Sequence, residues 1–294
     1  MGSLIFNLTT SVPDDADFIE CKDKKGGTYF GIRFFSLRNK KIIKYTIEKG
    51  IEIICDNAFC NLPNLAEVTI PDTVKVIGIG AFLNCVNLRK VTLPDSLVVM
   101  MDGAFSGCLS LQSISLPEHI KRLGAGIFSG CKSLKSVQLP PKMDMITEEM
   151  FAECSKLTDV IMPKELNMIG DSAFRGCGSL KQLDMPDSVV SIGDYAFTDC
   201  FDLKKIRLSK ELRRIGNSAF LNCLSLKEPD LPQGVNSIDM DAFVSTHFYR
   251  HSPFMESAIK KENRLLKTEV LKTMQGKNSA VSTLCDNLDL TEEI

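Results

Sequence analysis

The sequence predicts a β-rich α/β solenoid, a stack of one small unit and not a conventional globule. Three observations carry that expectation. Nine phenylalanines (Phe59, Phe82, Phe105, Phe128, Phe151, Phe174, Phe197, Phe220 and Phe243) stand 23 residues apart with no insertion or deletion. Seven cysteines, Cys85, Cys108, Cys131, Cys154, Cys177, Cys200 and Cys223, each follow a repeat Phe by three residues. A leucine stands six residues after each of the first eight of these phenylalanines, from Leu65 to Leu226. A fixed period of this size marks an architecture in which each unit packs only on its neighbours.

The elements follow in chain order. Residues 1–44 do not fit the period. Within them Phe18–Lys22, a turn at Asp23–Gly27 and Thr28–Phe35 read as a β-hairpin that covers the open end of the core. Residues 45–246 hold about nine repeat units. In each, apolar residues nine and eleven positions after Phe alternate with polar ones, as in Val91-Thr92-Leu93, which is the period of a half-buried strand. Proline follows at once, as at Pro71, Pro94 and Pro186, and closes the strand because it has no N–H to donate. A second extended stretch carries aliphatic residues at fifteen and eighteen. The segment around Phe reads as a short helical turn. Asp56, Asp102, Asp171, Asp194 and Asn217 precede it as caps, and Asn61, Asn84, Gly107, Gly130, Gly176, Asp199 and Asn222 end it in the left-handed conformation. The residue before Phe is usually Ala. Residues 247–294 form the C-terminal segment. Ser252-Pro253 opens a helix whose apolar face is Met255, Ile259, Leu266, Val270 and Met274, and a mildly acidic tail follows from residue 277.

Composition removes several function classes. Formal charge is −2, from 35 basic and 37 acidic residues, so no bulk attraction to nucleic acid or anionic lipid is expected. No run of 18 apolar residues exists, and membrane insertion is not expected. The three histidines include His247 and His251 at helical spacing, without companions at metal-site spacing. Gly78-Ile-Gly80 and Gly124-Ala-Gly126 read as repeat turns, not phosphate loops. No nucleophile, cofactor or metal motif stands out, and the chain reads as a non-enzyme with no cofactor. The cysteine row reads as reduced, buried thiols, because parallel vectors on stacked coils suit a disulfide poorly. Met143, Met145, Met150, Met162 and Met168 cluster around the least regular unit, where they read as fillers of an ill-fitting core.

Residues 169–186, Ile-Gly-Asp-Ser-Ala-Phe-Arg-Gly-Cys-Gly-Ser-Leu-Lys-Gln-Leu-Asp-Met-Pro, carry a resemblance. They resemble the 23-residue leucine-rich repeat of the BspA-like, treponemal type, and the resemblance spans roughly residues 45–246. It implies a horseshoe or gently curved solenoid with a parallel sheet on the concave face and short helical turns on the convex side. It also implies a protein-binding module, adhesin-like or engaged in host or partner recognition, at the cell surface or secreted if a signal has been removed. The unpaired cysteine row, and a start with no basic segment or long apolar stretch, point instead to a reducing, cytoplasmic setting.

On the concave face the exposed strand positions, eight and ten after Phe, are the candidate partner-binding residues: Lys90, Thr92, Ser113, Ser115, Gln138, Asp159, Gln182, Asp184, Lys205 and Arg207. None is aromatic, which disfavours glycan stacking there. A basic cluster, Lys204, Lys205, Arg207, Lys210, Arg213 and Arg214, reads either as a solvated coil or as a seat for an acidic partner. The alternative function is an intracellular scaffold that self-associates through the C-terminal helix.

Overall fold

The computed structural model describes residues 18–22, 28–32, 43–227 and 229–251 of the chain. By internal contacts the chain divides into Met1–Phe248 and Tyr249–Ile294, and the repeats lie in the first unit. Strands β1 (Phe18–Lys22) and β2 (Thr28–Ile32) form the antiparallel hairpin, with Phe18 opposite Ile32 and Lys22 opposite Thr28. Three-residue and two-residue strands then alternate: β3 (Lys44–Thr46), β4 (Ile53–Ile54), β5 (Glu67–Thr69), β6 (Val76–Ile77), β7 (Lys90–Thr92), β8 (Val99–Met100), β9 (Ser113–Ser115) and β10 (Arg122–Leu123). The alternation continues through β11 (Ser136–Gln138), β12 (Met145–Ile146), β13 (Asp159–Ile161), β14 (Met168–Ile169), β15 (Gln182–Asp184), β16 (Ser191–Ile192), β17 (Lys205–Arg207), β18 (Arg214–Ile215) and β19 (Ser237–Ile238).

Two parallel ladders result, because each coil supplies one strand of each kind at the same repeat positions. The ladder of three-residue strands runs β3-β5-β7, β9-β11-β13 and β15-β17, with a break after β7 and another after β13. The ladder of two-residue strands runs β1-β2-β4-β6-β8-β10 and then β12-β14-β16-β18-β19. The hairpin therefore joins the second ladder, β2 pairing in parallel with β4 through Gly31–Ile53 and Ile32–Ile54. Among the described residues no three-residue strand lies between β18 and β19. Pro229 occupies the inward strand position there and has no donor for a ladder.

The phenylalanines form one buried column. All nine are under 2% accessible, and successive rings lie nearly parallel, 4.9 Å apart for Phe59–Phe82 and 5.2 Å for Phe197–Phe220. Those spacings match the separation of paired strands and suit offset stacking. Both ends of the column are closed by an aromatic ring set at an angle. Tyr45 lies 5.4 Å from Phe59 at 59°, and Phe248 lies 5.3 Å from Phe243 at 72°.

The segment around each Phe consists of overlapping turns. Only the last, Met240–Phe243, is a 3-10 helix. Alternate N–H groups serve different purposes. That of Ala58 closes a local turn on the Cys55 carbonyl, while those of Asn57, Phe59 and Asn61 donate to Ile79, Ala81 and Leu83 in the next coil. Such alternation needs two left-handed residues per coil, one on each side of Phe. The expected one follows Phe by two, with φ between 58° and 74° from Asn61 to Gly176. The other precedes Phe by two and includes Gly80, Gly126 and Tyr195, at 57°, 59° and 57°. The aspartates expected as caps likewise reach across coils. Asp56, Asp102, Asp171 and Asp194 accept from the N–H groups of Ile79, Ala125, Asp194 and Asn217, each 23 residues on, at 2.7–2.9 Å.

The seven row cysteines are free and buried. Each thiol donates to the carbonyl of the Phe one coil earlier, from Cys85 to Phe59 at 3.0 Å through Cys223 to Phe197 at 3.1 Å. This explains why the position holds Cys and not Ala or Val. A small apolar side chain with a weak donor fills the space and also satisfies a buried oxygen. In the terminal coil Thr246 takes the place of Cys and its hydroxyl donates to Phe243 at 2.6 Å within its own coil. Among the described residues no buried side-chain nitrogen or oxygen lacks a partner.

The stack loosens once. Phe105 and Phe128 are 6.2 Å apart and Phe128 and Phe151 are 5.8 Å, the two widest steps of the column. Here Ile127 and Met150, both fully buried, replace the alanine that precedes Phe in the other seven units. The turn side stays bonded, Phe105 N–H to Ile127 O at 2.9 Å and Phe128 N–H to Met150 O at 3.0 Å. On the other side the β10–β12 pairing is lost. The larger side chains act as a wedge hinged on the turn segment. Of the methionines expected as core fillers, Met150 is one. Met143, Met145 and Met162 are half-buried and Met168 is exposed, lying beside the wedge and not inside it.

The described chain ends in α1 (His247–His251). The expected helix from Ser252, its apolar face and the acidic tail lie outside the described residues.

Candidate protein-interaction face

The ten candidate residues fall on one face because successive strands pair in register. Lys90 and Thr92 lie on β7, Ser113 and Ser115 on β9, Gln138 on β11, and Asp159 on β13. Gln182 and Asp184 lie on β15, Lys205 and Arg207 on β17. Each is exposed, and the residue between is buried in every one of these strands except β13, where Val160 is half-buried. Register brings Ser113 beside Ser136, Ser115 beside Gln138, Ser136 beside Asp159, Gln182 beside Lys205 and Asp184 beside Arg207. Ile161 stands beside Gln138 at 61% accessibility, an isolated apolar side chain in a polar row.

Charge on this face is uneven. At the first end Lys44 meets Glu67 at 2.7 Å, and that lysine holds the Glu67 carboxyl below its usual range, chiefly through the hydrogen bond. In the middle the hydroxyls of Thr92, Ser113 and Ser115 and the amides of Gln138 and Gln182 hold no hydrogen bond to another described side chain. At the far end Arg207 reaches Asp187 at 2.8 Å and lowers its carboxyl, with Lys210 assisting from 3.6 Å.

That far end resolves the basic cluster. Arg207 and Lys210 share Asp187, Arg213 pairs with Glu211 at 3.1 Å, and Arg214 pairs with Asp194 at 3.1 Å. Three carboxylates thus face four of the six cations, and the cluster keeps a net positive charge. A polyanion would have to displace those carboxylates.

Two clefts open where the ladders break. The larger, about 770 Å³, lies between β7 and β9, and Thr92, Ser113 and Ser115 line it with Asp95, Glu118 and His119. The smaller, about 280 Å³, lies between β10 and β12, with Lys121, Arg122 and Lys142 among its walls. Reading the strand positions alone found the hydroxyls of the larger cleft but missed Asp95, Glu118 and His119, which come from the bend after the strand. The bend residues show no period-two signal. The smaller cleft had a visible sign in Ile127 and Met150, the breaks in the alanine row.

A stack of parallel coils on an aromatic column, with an open face of short strands, defines a repeat solenoid of the leucine-rich kind. The chain belongs to the BspA type leucine rich repeat family, whose profile matches residues 31–158 and 144–261. The leucine-rich repeat protein of Treponema pallidum shares the fold. It is 24% identical, superposes with a TM-score of 0.51, and the match covers 80% of this chain and 100% of that one. A leucine-rich cell surface protein from Faecalibacterium prausnitzii is 24% identical at a TM-score of 0.39, covering 79% of this chain and 85% of its own. The pneumococcal vaccine antigen PcpA is 18% identical at 0.42, covering 81% and 78%. No curated protein gives a significant match to the chain.

Proposed function

We propose that this chain is a non-enzymatic protein-binding module that engages its partner through the exposed face of the three-residue strands, in an adhesin-like or partner-recognition role. The observation that carries the reading is the contrast between that face and the turn side. The turn side spends its polar groups on bonds between coils. The strand face leaves the side chains of Thr92, Ser113, Ser115, Gln138 and Gln182 without hydrogen bonds to other described side chains, on strands held in register by pairing with a neighbouring coil. Free polar groups on a rigid, repetitive support are what a recognition surface needs, since binding then costs little ordering. Family membership points the same way. No helix among the described residues is long and apolar enough to cross a membrane.

The test is capture by the immobilised chain from extracellular-matrix proteins and from cytosolic lysate, run in parallel with two variants. Gln138→Arg/Gln182→Arg/Asp184→Arg changes the face, and Asn167→Arg changes the second-ladder side. Retention should be lost in the first and kept in the second. Equal retention by both would remove the strand face from consideration.

A further inference from the structure

The cleft between β7 and β9 combines three features on the open face. Its rim carries the carboxylates of Asp95 and Glu118, and no lysine or arginine lines it. Its wall carries the hydroxyls of Thr92, Ser113 and Ser115. Its floor is apolar. Val91 and Ile114 are 9% and 7% accessible, against 3% for Val68, Val137, Leu183 and Ile206 at the same repeat position, while Val160, at the other break of this ladder, is half-buried.

The carboxylates are the decisive feature. Asp72, Asp95, Glu118 and Asp187 all stand thirteen residues after a repeat Phe. Asp72 is met by Lys49 at 3.9 Å, and Asp187 by Arg207 and Lys210 at 2.8 and 3.6 Å. Asp95 and Glu118, on adjacent coils, have no cationic partner among the described residues. The position that takes a cation from within the chain on the Phe59 and Phe174 coils stands open at the cleft.

We propose that this cleft seats an arginine side chain presented by the partner's polypeptide, a proposal that rests on the protein-binding reading above. The aliphatic stem lies along Val91, Leu93 and Ile114, and the guanidinium donates to Asp95, Glu118 and the serine hydroxyls. The planar fork of five donors matches two carboxylates on neighbouring coils better than an ammonium does. A metal ion fits less well, since no three His, Cys, Asp or Glu side chains among the described residues converge as its ligands would.

The test uses the isotope-labelled full chain and two peptides, acetyl-Gly-Arg-Gly-Arg-Gly-amide and its citrulline counterpart, which keeps the shape and removes the charge. The arginine peptide should shift the amide signals of Thr92, Ser113, Ser115 and His119, and the citrulline peptide should not. Asp95→Asn/Glu118→Gln, both exposed and nearly isosteric, should weaken binding about tenfold or more. Equal shifts from the citrulline peptide overturn the proposal. So does the absence of shifts at those amides, or affinity unchanged in the double variant. Shifts there from an uncharged oligosaccharide but not from the arginine peptide also overturn it. The double variant then enters the capture experiment. Capture unchanged by Asp95→Asn/Glu118→Gln but abolished by Gln138→Arg/Gln182→Arg/Asp184→Arg overturns the cleft assignment and leaves the face reading standing. Capture unchanged by both overturns the two together.

Discussion

The coils between Phe174 and Phe243 and the coils around Phe128 follow the same repeat but do not pack alike. In the first region the rings are 5.1–5.2 Å apart and within 7° of parallel, and the second ladder runs unbroken to β19. In the second the rings part by up to 6.2 Å and tilt by up to 20°, and β10 and β12 no longer pair. Both keep their turn-side hydrogen bonds and their thiol contacts to the preceding Phe carbonyl. The difference shows which constraints are rigid. The turn segment is held by two kinds of bond per coil and does not open. The two-residue strands are held more weakly, and β10 and β12 part where Ile127 and Met150 stand beside the column.

The largest expected effect tests the column itself. Phe197→Ala in the regular region should cost about 3–5 kcal/mol of stability. Phe128→Ala should cost about 1 kcal/mol less, since its stacking partners are farther away. Denaturant unfolding monitored by circular dichroism measures both. Equal losses would mean that ring spacing contributes nothing beyond burial.

Next comes the response to alkaline pH. Burial pushes the thiols of Cys85 and Cys131 from an ordinary 9.0 up to about 12, so the folded state holds their protons longer than the unfolded chain does. Stability contributed this way is complete below pH 9 and is lost as pH rises toward 12, at about 1.4 kcal/mol per pH unit for each thiol. Cys85→Ser and Cys131→Ser should each flatten that slope by about one proton. Cys85 belongs to the well-stacked part of the column and Cys131 to the wedge, so similar flattening would show that the wedge admits no water to the thiol row. A larger change for one would show that it does.

The wedge has its own test. Ile127→Ala restores the alanine row and lets the coils close, so it should cost less than about 2 kcal/mol, below the usual range for burying Ala in place of Ile. A crystal structure of the variant should show the Phe105–Phe128 distance falling toward the 5.0 Å of Phe82–Phe105. A full-sized loss with unchanged spacing would assign the opening to some other cause. The smallest effect is expected from the exposed ion pairs. Arg214→Gln, which frees Asp194 in the regular region, should change stability by less than about 1 kcal/mol, with the difference shrinking in high salt.

Much of the fold was legible in the order of residues. Phe, Cys and Leu recur at fixed offsets, the strand alternation ends at Pro, and Asn, Asp or Gly follows Phe by two. Each of these is a local steric or hydrogen-bonding requirement that every coil must meet afresh. The face was legible for the same reason, since residues on either side of an inward strand residue point outward. The turn segment was only half legible. Its left-handed residue after Phe was expected, but the one before it is filled by Gly, Asn, Glu, Ser and Tyr alike, so composition carries no signal. A helical turn and two overlapping turns also present the same apolar residue to the core. What separates them is where alternate N–H groups go, and in a stack they go to the next coil.

By itself, then, the sequence determined the unit, its period, the buried thiol row and which side chains the strands leave exposed, because each depends on residues within one coil or on identical positions in its neighbours. Only the tertiary structure decided how the coils meet. It turned the aspartates from caps of their own turns into links between coils, and closed the aromatic column with Tyr45 and Phe248. It set Arg207, Lys210, Arg213 and Arg214 against three carboxylates, and opened a cleft where Asp95 and Glu118 lack the cation that Asp72 and Asp187 hold. The physical reason is shared by most of them. The aspartate links, the Arg207–Asp187 and Arg214–Asp194 pairs and the cleft all depend on the spacing of coils, and that spacing is set by the sum of packing along the stack.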